Sequence, residues 1–459
     1  MLKWLKSRIA KKNNKSAAVK NKGAKKAVVK KAYSDSVRII PRSEHGISRK
    51  NIDESALKVL YKLNKEGYEA YLVGGAVRDL LLGKRPKDFD VATDATPEQV
   101  NALFRNCRLI GRRFRLAHIH FGRHIIEVAT FRGHHDDSDS GRQDESGRIL
   151  RDNVYGDIEQ DVWRRDFTTN ALYYNIADFS VVDFVGGYED VKNKRLRLIG
   201  DPDERYREDP VRMLRAIRFA AKLGFSIDES CQRFIREEGA LLRDIPAARL
   251  YEEALKLFHA GHAIESFQGL REYHLLEHLF PDAAEALDGN EVGLKFLHLA
   301  MQSTDQRIHN NMPVTPAFLF AALLWAPLRT RTEKRLASGE PHSLALQKSA
   351  SALIGEQVRY VSIPKRFTTV MREIWSLQSR FSNRKGKRAT ALFEHPKFRA
   401  AYDFLCLRAK AGEIKDDDCR WWTEFQENSP EAQQAKIEPQ RGQGRGRPRR
   451  RRRTKSVKD

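Results

Sequence analysis

The stretch Tyr71–Thr93, YLVGGAVRDLLLGKRPKDFDVAT, constrains this chain more than any other. It sets an apolar strand against the Gly74–Gly75 pair, then a short helix over Ala76–Leu82 ending at Gly83, then a second strand over Asp88–Ala92. Residues two apart on a strand project to the same face. Asp88 and Asp90 therefore stand together while Phe89 and Val91 pack behind them. Adjacent carboxylates oppose each other's ionisation unless a cation sits between them. A hard divalent ion such as Mg2+, held by one or two carboxylates plus substrate phosphates, resolves that conflict. The third carboxylate is expected at Glu127, the one acid in the apolar strand HIIEVATF. Burying it requires a metal or a partner; the competing reading puts it on an exposed face, because Ile126 and Val128 point the other way. The glycine pair, opening a helix with bare backbone N–H groups, suits the phosphates of a nucleotide triphosphate. It is not the Lys-bearing P-loop. Arg78, in the first turns of that helix, has the reach to meet phosphate.

Charge divides the rest of the chain. Of the net +23 over 459 residues, +12 lies in residues 1–31 and +9 in residues 441–459, which leaves +2 for everything between. Such arms attach polyanions through counterion release. The expected organisation is a basic disordered arm over 1–46, a globular α/β head over 47–195, a helical neck over 196–260, a helical body over 261–426 and a basic disordered tail over 427–459. Within the head the pattern predicts an amphipathic helix over 53–66 with Leu57, Leu60, Tyr61 and Leu63 inward. It also predicts a Thr96-capped helix to about Asn106 and a hairpin turning at Gly122–Arg123. After about Arg195 no strand is expected. Residues 134–148 are polar and acidic and read as a mobile loop; His134, His135, Asp136 and Asp137 fit solvent better than a metal. Leu2, Leu5 and Ile9 beside Trp4 make a short basic amphipathic helix with the make-up for weak contact with an anionic membrane surface. The cysteines, Cys107, Cys231, Cys406 and Cys419, are scattered without a C-x-x-C pair, which argues for a reducing cytoplasm and against a disulfide framework or structural zinc.

Taken together, LVGGAVRDLLLG, KDFDVAT, IIEVATFR, RRDFTTNALYYN and EDPVRMLRAIRFAAKLGF resemble the class II nucleotidyltransferases, the bacterial poly(A) polymerases and tRNA CCA-adding enzymes. GRRFRLAHI, LRDNVYGDIEQDVWRRDFT, IPKRFTTVMREIW and EHPKFRAAYDFL are similar to the poly(A) polymerase branch. The resemblance implies an α/β polymerase-β-like head, an all-helical neck and body, and template-independent extension of RNA 3′ ends from ATP with Mg2+, or Mn2+ in its place. It implies that Asp88 and Asp90 bind metal and activate the RNA hydroxyl, that Asp166 joins them, and that Arg165 and Asn170 contact ribose and phosphate. Asp209 and Arg212, in a helix whose Arg212, Arg215 and Arg218 form a stripe, would read the incoming base. The residues themselves leave blander accounts open. Arg165–Asp166 also reads as a surface pair beside a helix carrying Phe167, Ala171 and Tyr174, and the arginine stripe as a solvated face.

Two other functions compete with an open-ended, cytoplasmic, monomeric poly(A) polymerase. One is a CCA-adding enzyme with the same head; the other is a catalytically silent RNA-binding protein. The basic arms suit varied single-stranded 3′ ends, and the retained acids argue against silence. No H…HD…D phosphohydrolase pattern occurs in the helical body.

Overall fold

The computed structural model of this protein describes residues 37–111, 115–133, 154–384 and 387–428. The amphipathic N-terminal helix, the 134–148 loop and the arginine-rich C-terminal stretch expected from the sequence lie outside the described residues. Two units divide after Val191.

In the first unit eight strands form one mixed sheet in the order β1-β8-β7-β2-β3-β6-β5-β4. They are β1 Arg38–Ile40, β2 Ala70–Val73, β3 Asp90–Thr93, β4 Cys107–Ile110, β5 Leu116–Phe121, β6 His124–Thr130, β7 Leu172–Asn175 and β8 Val181–Asp183. Only β3 and β6 run parallel; the other pairs are antiparallel. One face of the sheet is apolar. Ala70, Leu72, Val91, Ile126, Val128, Leu172 and Tyr174 join Val59, Leu60 and Leu63 of helix Glu54–Lys65, Val77 and Leu80 of helix Gly75–Leu81, and Val100 of helix Pro97–Leu103 in one core. Local signals start these helices. Asp53 accepts from the Ser55 and Ala56 N–H groups, and Thr96 and Gln99 close a reciprocal capping box. The β5–β6 hairpin turns at Gly122, whose positive φ the turn requires.

Several sequence expectations change here. Tyr61 is 42% exposed, and Ala56 and Val59 take the inward positions instead. The Thr96-capped helix stops at Leu103, because Cys107 already pairs across to Ile119. Strand β1 lies inside the expected disordered arm, where Ile40 is fully buried. The RRDFTTNALYYN segment is not a helix: a bend at Arg164–Asp166 leads into a short 3-10 turn, Thr168–Asn170, and then into β7. Phe167, Ala171 and Tyr174 are buried all the same, by the sheet rather than by a helical face.

Among its described residues the second unit is helical apart from one short parallel pairing, Arg195–Leu196 with Ser226–Ile227, which the sequence did not announce. Helix Val211–Leu223 buries Val211, Met213, Leu214, Ala216 and Ile217 and ends at Gly224 in the left-handed conformation. Toward the C-terminus Phe381, Phe398, Tyr402 and Trp422 form a separate apolar cluster. Cys406 and Cys419 are joined there as a disulfide. This corrects the expectation of unpaired cysteines. Their spacing of 13 in sequence hides that helix Phe398–Ala411 and helix Asp417–Asn428 fold back on each other.

Candidate active site

The acids come together because of sheet register. Val73 on β2 faces Asp90 on β3, Asp90 faces Glu127 on β6, and Glu127 faces His118 on β5. On the other side Val73 faces Tyr173 of β7. The row Tyr173–Val73–Asp90–Glu127–His118 therefore crosses five strands on the face opposite the apolar core. Both readings of Glu127 meet at this point: Glu127 is exposed, and the face it occupies is that of Asp90. His118 Nε2 lies 3.5 Å from Glu127 Oε1.

Asp88 sits just before β3. It lines, with Asp90 and Glu127, a cleft of about 780 Å3. The protein around Asp90 removes enough water, and Glu127 and Asp88 repel strongly enough, to push its carboxyl up to about 6 despite the opposing pull of Arg165. Among the described residues no three His, Cys, Asp or Glu side chains are gathered as a closed metal cage. An all-oxygen set of two carboxylates, one of them raised by desolvation and then by like charge, still fits a hard cation that takes its remaining ligands from water and phosphate.

A second cluster surrounds the glycine pair. Gly74 adopts φ 70°, and a Cβ there would stand 3.5 Å from Arg165 Nη1. At Gly75 a Cβ would come within 3.3 Å of Arg78 Nη2. Both guanidiniums are fixed. Arg165 donates to Asp161 Oδ2 from Nη2 (3.0 Å) and from Nε (3.2 Å), and its Nε also donates to the Tyr173 hydroxyl (2.7 Å). The Tyr173 hydroxyl donates in turn to Asp161 Oδ2. Arg78 is buried; it donates to Asp79 and, from Nη1, to Asn170 Oδ1 at 2.5 Å. Asn170 Nδ2 reaches Asp166 Oδ1 at 3.3 Å. Arg78 and Asp166 are thus members of the glycine-turn cluster and do not line the cleft of Asp88, Asp90 and Glu127. Arg165 pairs with Asp161, four residues earlier, and not with its neighbour Asp166 as a surface pair would. Asp161 and Tyr173 were missed from the sequence. The i,i+4 spacing of Asp161 and Arg165 was a usable signal; Tyr173 offered none.

In the second unit Asp209 accepts from the Val211 N–H at 3.3 Å and from Arg249 Nη2 at 2.6 Å. Arg212 donates to Glu208 Oε2 at 2.7 Å and to the Arg205 carbonyl. Burial alone would raise Glu208, but Arg212 and Arg205 outweigh it and hold the carboxyl below its ordinary value. Arg215 and Arg218 lie over the Phe219 ring, at 5.4 and 4.5 Å. The stripe is half-buried and engaged, so it is not simply a solvated face.

A mixed sheet with acids in one crosswise row beside a glycine turn, followed by helices, defines a nucleotidyltransferase with a polymerase-β-like head. The Poly A polymerase head domain matches residues 70–197, the "Probable RNA and SrmB- binding site of polymerase A" matches 224–287, and the "Polymerase A arginine-rich C-terminus" matches 338–456. Poly(A) polymerase I of Escherichia coli O6:H1 is 54% identical over 411 residues, covering 87% of this chain and 88% of the relative. The chain belongs to the bacterial poly(A) polymerase family. A CCA-adding enzyme of Lactobacillus helveticus is 38% identical over 229 residues, half of this chain and 55% of the relative. The crystal structure of the Bacillus stearothermophilus CCA-adding enzyme in complex with CTP has a TM-score of 0.55 at 23% identity, covering 83% of this chain and 84% of that one, and shares the fold. No described helix is long and apolar enough to cross a membrane.

Proposed function

We propose that this chain extends RNA 3′ ends with AMP from ATP, without a template and with Mg2+ held by Asp88 and Asp90. The observation that supports this best is the register that stands Asp90 beside Glu127 in the cleft that Asp88 also lines, with Arg165 near enough to act on Asp90 electrostatically. A divalent ion bound by Asp88 and Asp90, with Glu127 beside them, supplies Lewis-acid polarisation and acidifies the attacking hydroxyl. The chain's own groups do the rest. Gly74 and Gly75 admit a triphosphate close to the backbone, because no Cβ intervenes. Arg165, held by Asp161 and Tyr173, offers a fixed cation to the phosphates. Arg78 acts through Asn170, keeping it and Asp166 at the turn. Asp209 and Arg212 supply an acceptor and donors for a base edge, with Arg215 further along the same helix. We place the activity in the cytoplasm and assign it to a monomer.

The test uses purified protein, an unstructured oligo-RNA, Mg2+ and each nucleoside triphosphate in turn. A long ladder with ATP alone is expected. Asp88→Ala and Asp90→Ala should abolish addition and leave RNA binding nearly intact; addition retained by either removes the assignment. Short, finite products that require CTP would replace it with the CCA-adding reading.

A further inference from the structure

The cleft that holds the acids has a second wall that the proposed chemistry does not use. Lys50, Lys84, Arg85, Lys87 and Arg123 line it. All five are exposed, and none makes a side-chain hydrogen bond or ion pair with a described residue. Four arginines elsewhere in the head differ. Arg38, Arg78, Arg115 and Arg165 are each matched to a carboxylate at 3.0 Å or closer.

The loop that carries three of these cations is held, not slack. Gly83 adopts φ 68°. Its N–H donates to the Leu80 carbonyl, and the Lys84 N–H donates to the Asp79 carbonyl at 2.8 Å. This double closure is a Schellman motif. It turns the chain out of helix Gly75–Leu81 in one direction, and buried Pro86 pins the middle of the loop. Lys84, Arg85 and Lys87 are thereby presented to the cleft in the five residues before Asp88 and Asp90. Lys50 closes the wall from a 3-10 turn, Arg49–Asn51, ahead of helix Glu54–Lys65, and Arg123 from the β5–β6 turn.

Five unneutralised cations beside a row of acids call for a polyanion that brings its own charge to the edge of the acids and no further. A nucleotide triphosphate is already provided for at the glycine turn. We propose that this wall binds the last phosphodiesters of the RNA strand and so delivers its 3′-hydroxyl to Asp88 and Asp90. The inference rests on the reading of this site as an RNA-extending one, and it assigns the strand a track in the head, separate from the basic ends of the chain.

The experiment measures RNA binding by the full chain, without nucleotide, across a series of salt concentrations. The variant is Lys84→Gln/Arg85→Gln/Lys87→Gln, whose side chains are exposed and make no internal bonds. Each phosphate contact on a single strand contributes about 0.7 to the slope of log affinity against log salt. The triple variant should therefore flatten the slope by about 2 and raise the Kd at low salt roughly tenfold. The second arm replaces RNA phosphodiesters with neutral methylphosphonates. With the last three linkages neutral, wild type and variant should bind alike; with three distant linkages neutral, the difference should persist. An unchanged slope overturns the proposal, as does a difference that survives neutral terminal linkages. So does a variant whose loss lies in affinity for ATP measured without RNA, which would give these cations to the triphosphate. Binding is read without turnover. A chain that shows the terminal-linkage effect but adds no AMP refutes the enzyme reading alone; one that adds AMP without the effect refutes the track alone.

Discussion

Removing the carboxylate of Asp161 is the sharpest perturbation of the head that the structure offers. Asp161 Oδ2 receives Arg165 Nη2 at 3.0 Å, Arg165 Nε at 3.2 Å and the Tyr173 hydroxyl, while Oδ1 receives the Arg132 N–H at 3.2 Å. The two side chains of the ion pair are 9% and 24% exposed, so solvent does little to replace a lost partner. Breaking a buried pair from one side costs about 3–5 kcal/mol. Asp161→Ala should destabilise the head by about that much, or about 6–20 °C in its calorimetric transition at roughly 2–4 °C per kcal/mol. Asp161→Asn keeps an acceptor and loses the charge, and should cost about half as much. In a double-mutant cycle with Arg165→Met the two losses should fall short of additivity by about 2–3 kcal/mol. Calorimetry gives the totals, and hydrogen exchange of peptides from β7 and the Thr168–Asn170 turn localises them. If Asp161→Ala stays within about 0.5 kcal/mol of wild type, or if the cycle is additive, Asp161 does not hold Arg165 and the fixed-cation argument fails.

Two further outcomes follow from other groups. In metal-free protein the Asp90 carboxyl titrates near 6, above its ordinary value, so its ionised form opposes folding above that pH and the penalty fades below about 4. Asp90→Asn should therefore raise the melting temperature at pH 7.5 and leave it unchanged at pH 4, while Glu127→Gln should lower the Asp90 titration seen by carboxyl NMR. Asp305, on helix Glu291–His309, accepts from the Ala263 and Ile264 N–H groups and so caps the neighbouring helix Ala263–Glu272. Asp305→Ala should cost about 1–2 kcal/mol in denaturant unfolding, and an unchanged midpoint would deny the cap.

The placement of the candidate site was more legible in the sequence than its surroundings were. Asp88, Asp90 and the glycine pair were legible because a strand, a tight turn and a short helix each leave a local mark within 23 residues. Glu127 was visible as a charge in an apolar strand, but its pairing with Asp90 is a matter of register between distant segments, which no local pattern encodes. Strand β1 was hidden because only three residues of it pair, next to a long basic run. RRDFTTNALYYN misled because Phe167, Ala171 and Tyr174 recur at helical spacing, although the sheet buries them. The engagement of Arg78 with Asn170 could not be seen at all: 92 residues separate them, and only the folded sheet brings β7 to the glycine turn.

The crosswise row also has a bearing on how the head assembles. Sliding β3 by one position against β6 would turn Asp90 inward among Val59, Leu60 and Ile126 and push Val91 out toward solvent. A misaligned sheet would have to swallow a carboxylate to form. The acids of the cleft thus double as proofreaders of strand alignment, and a head that has collapsed correctly has, by that act, already set Asp90 beside Glu127.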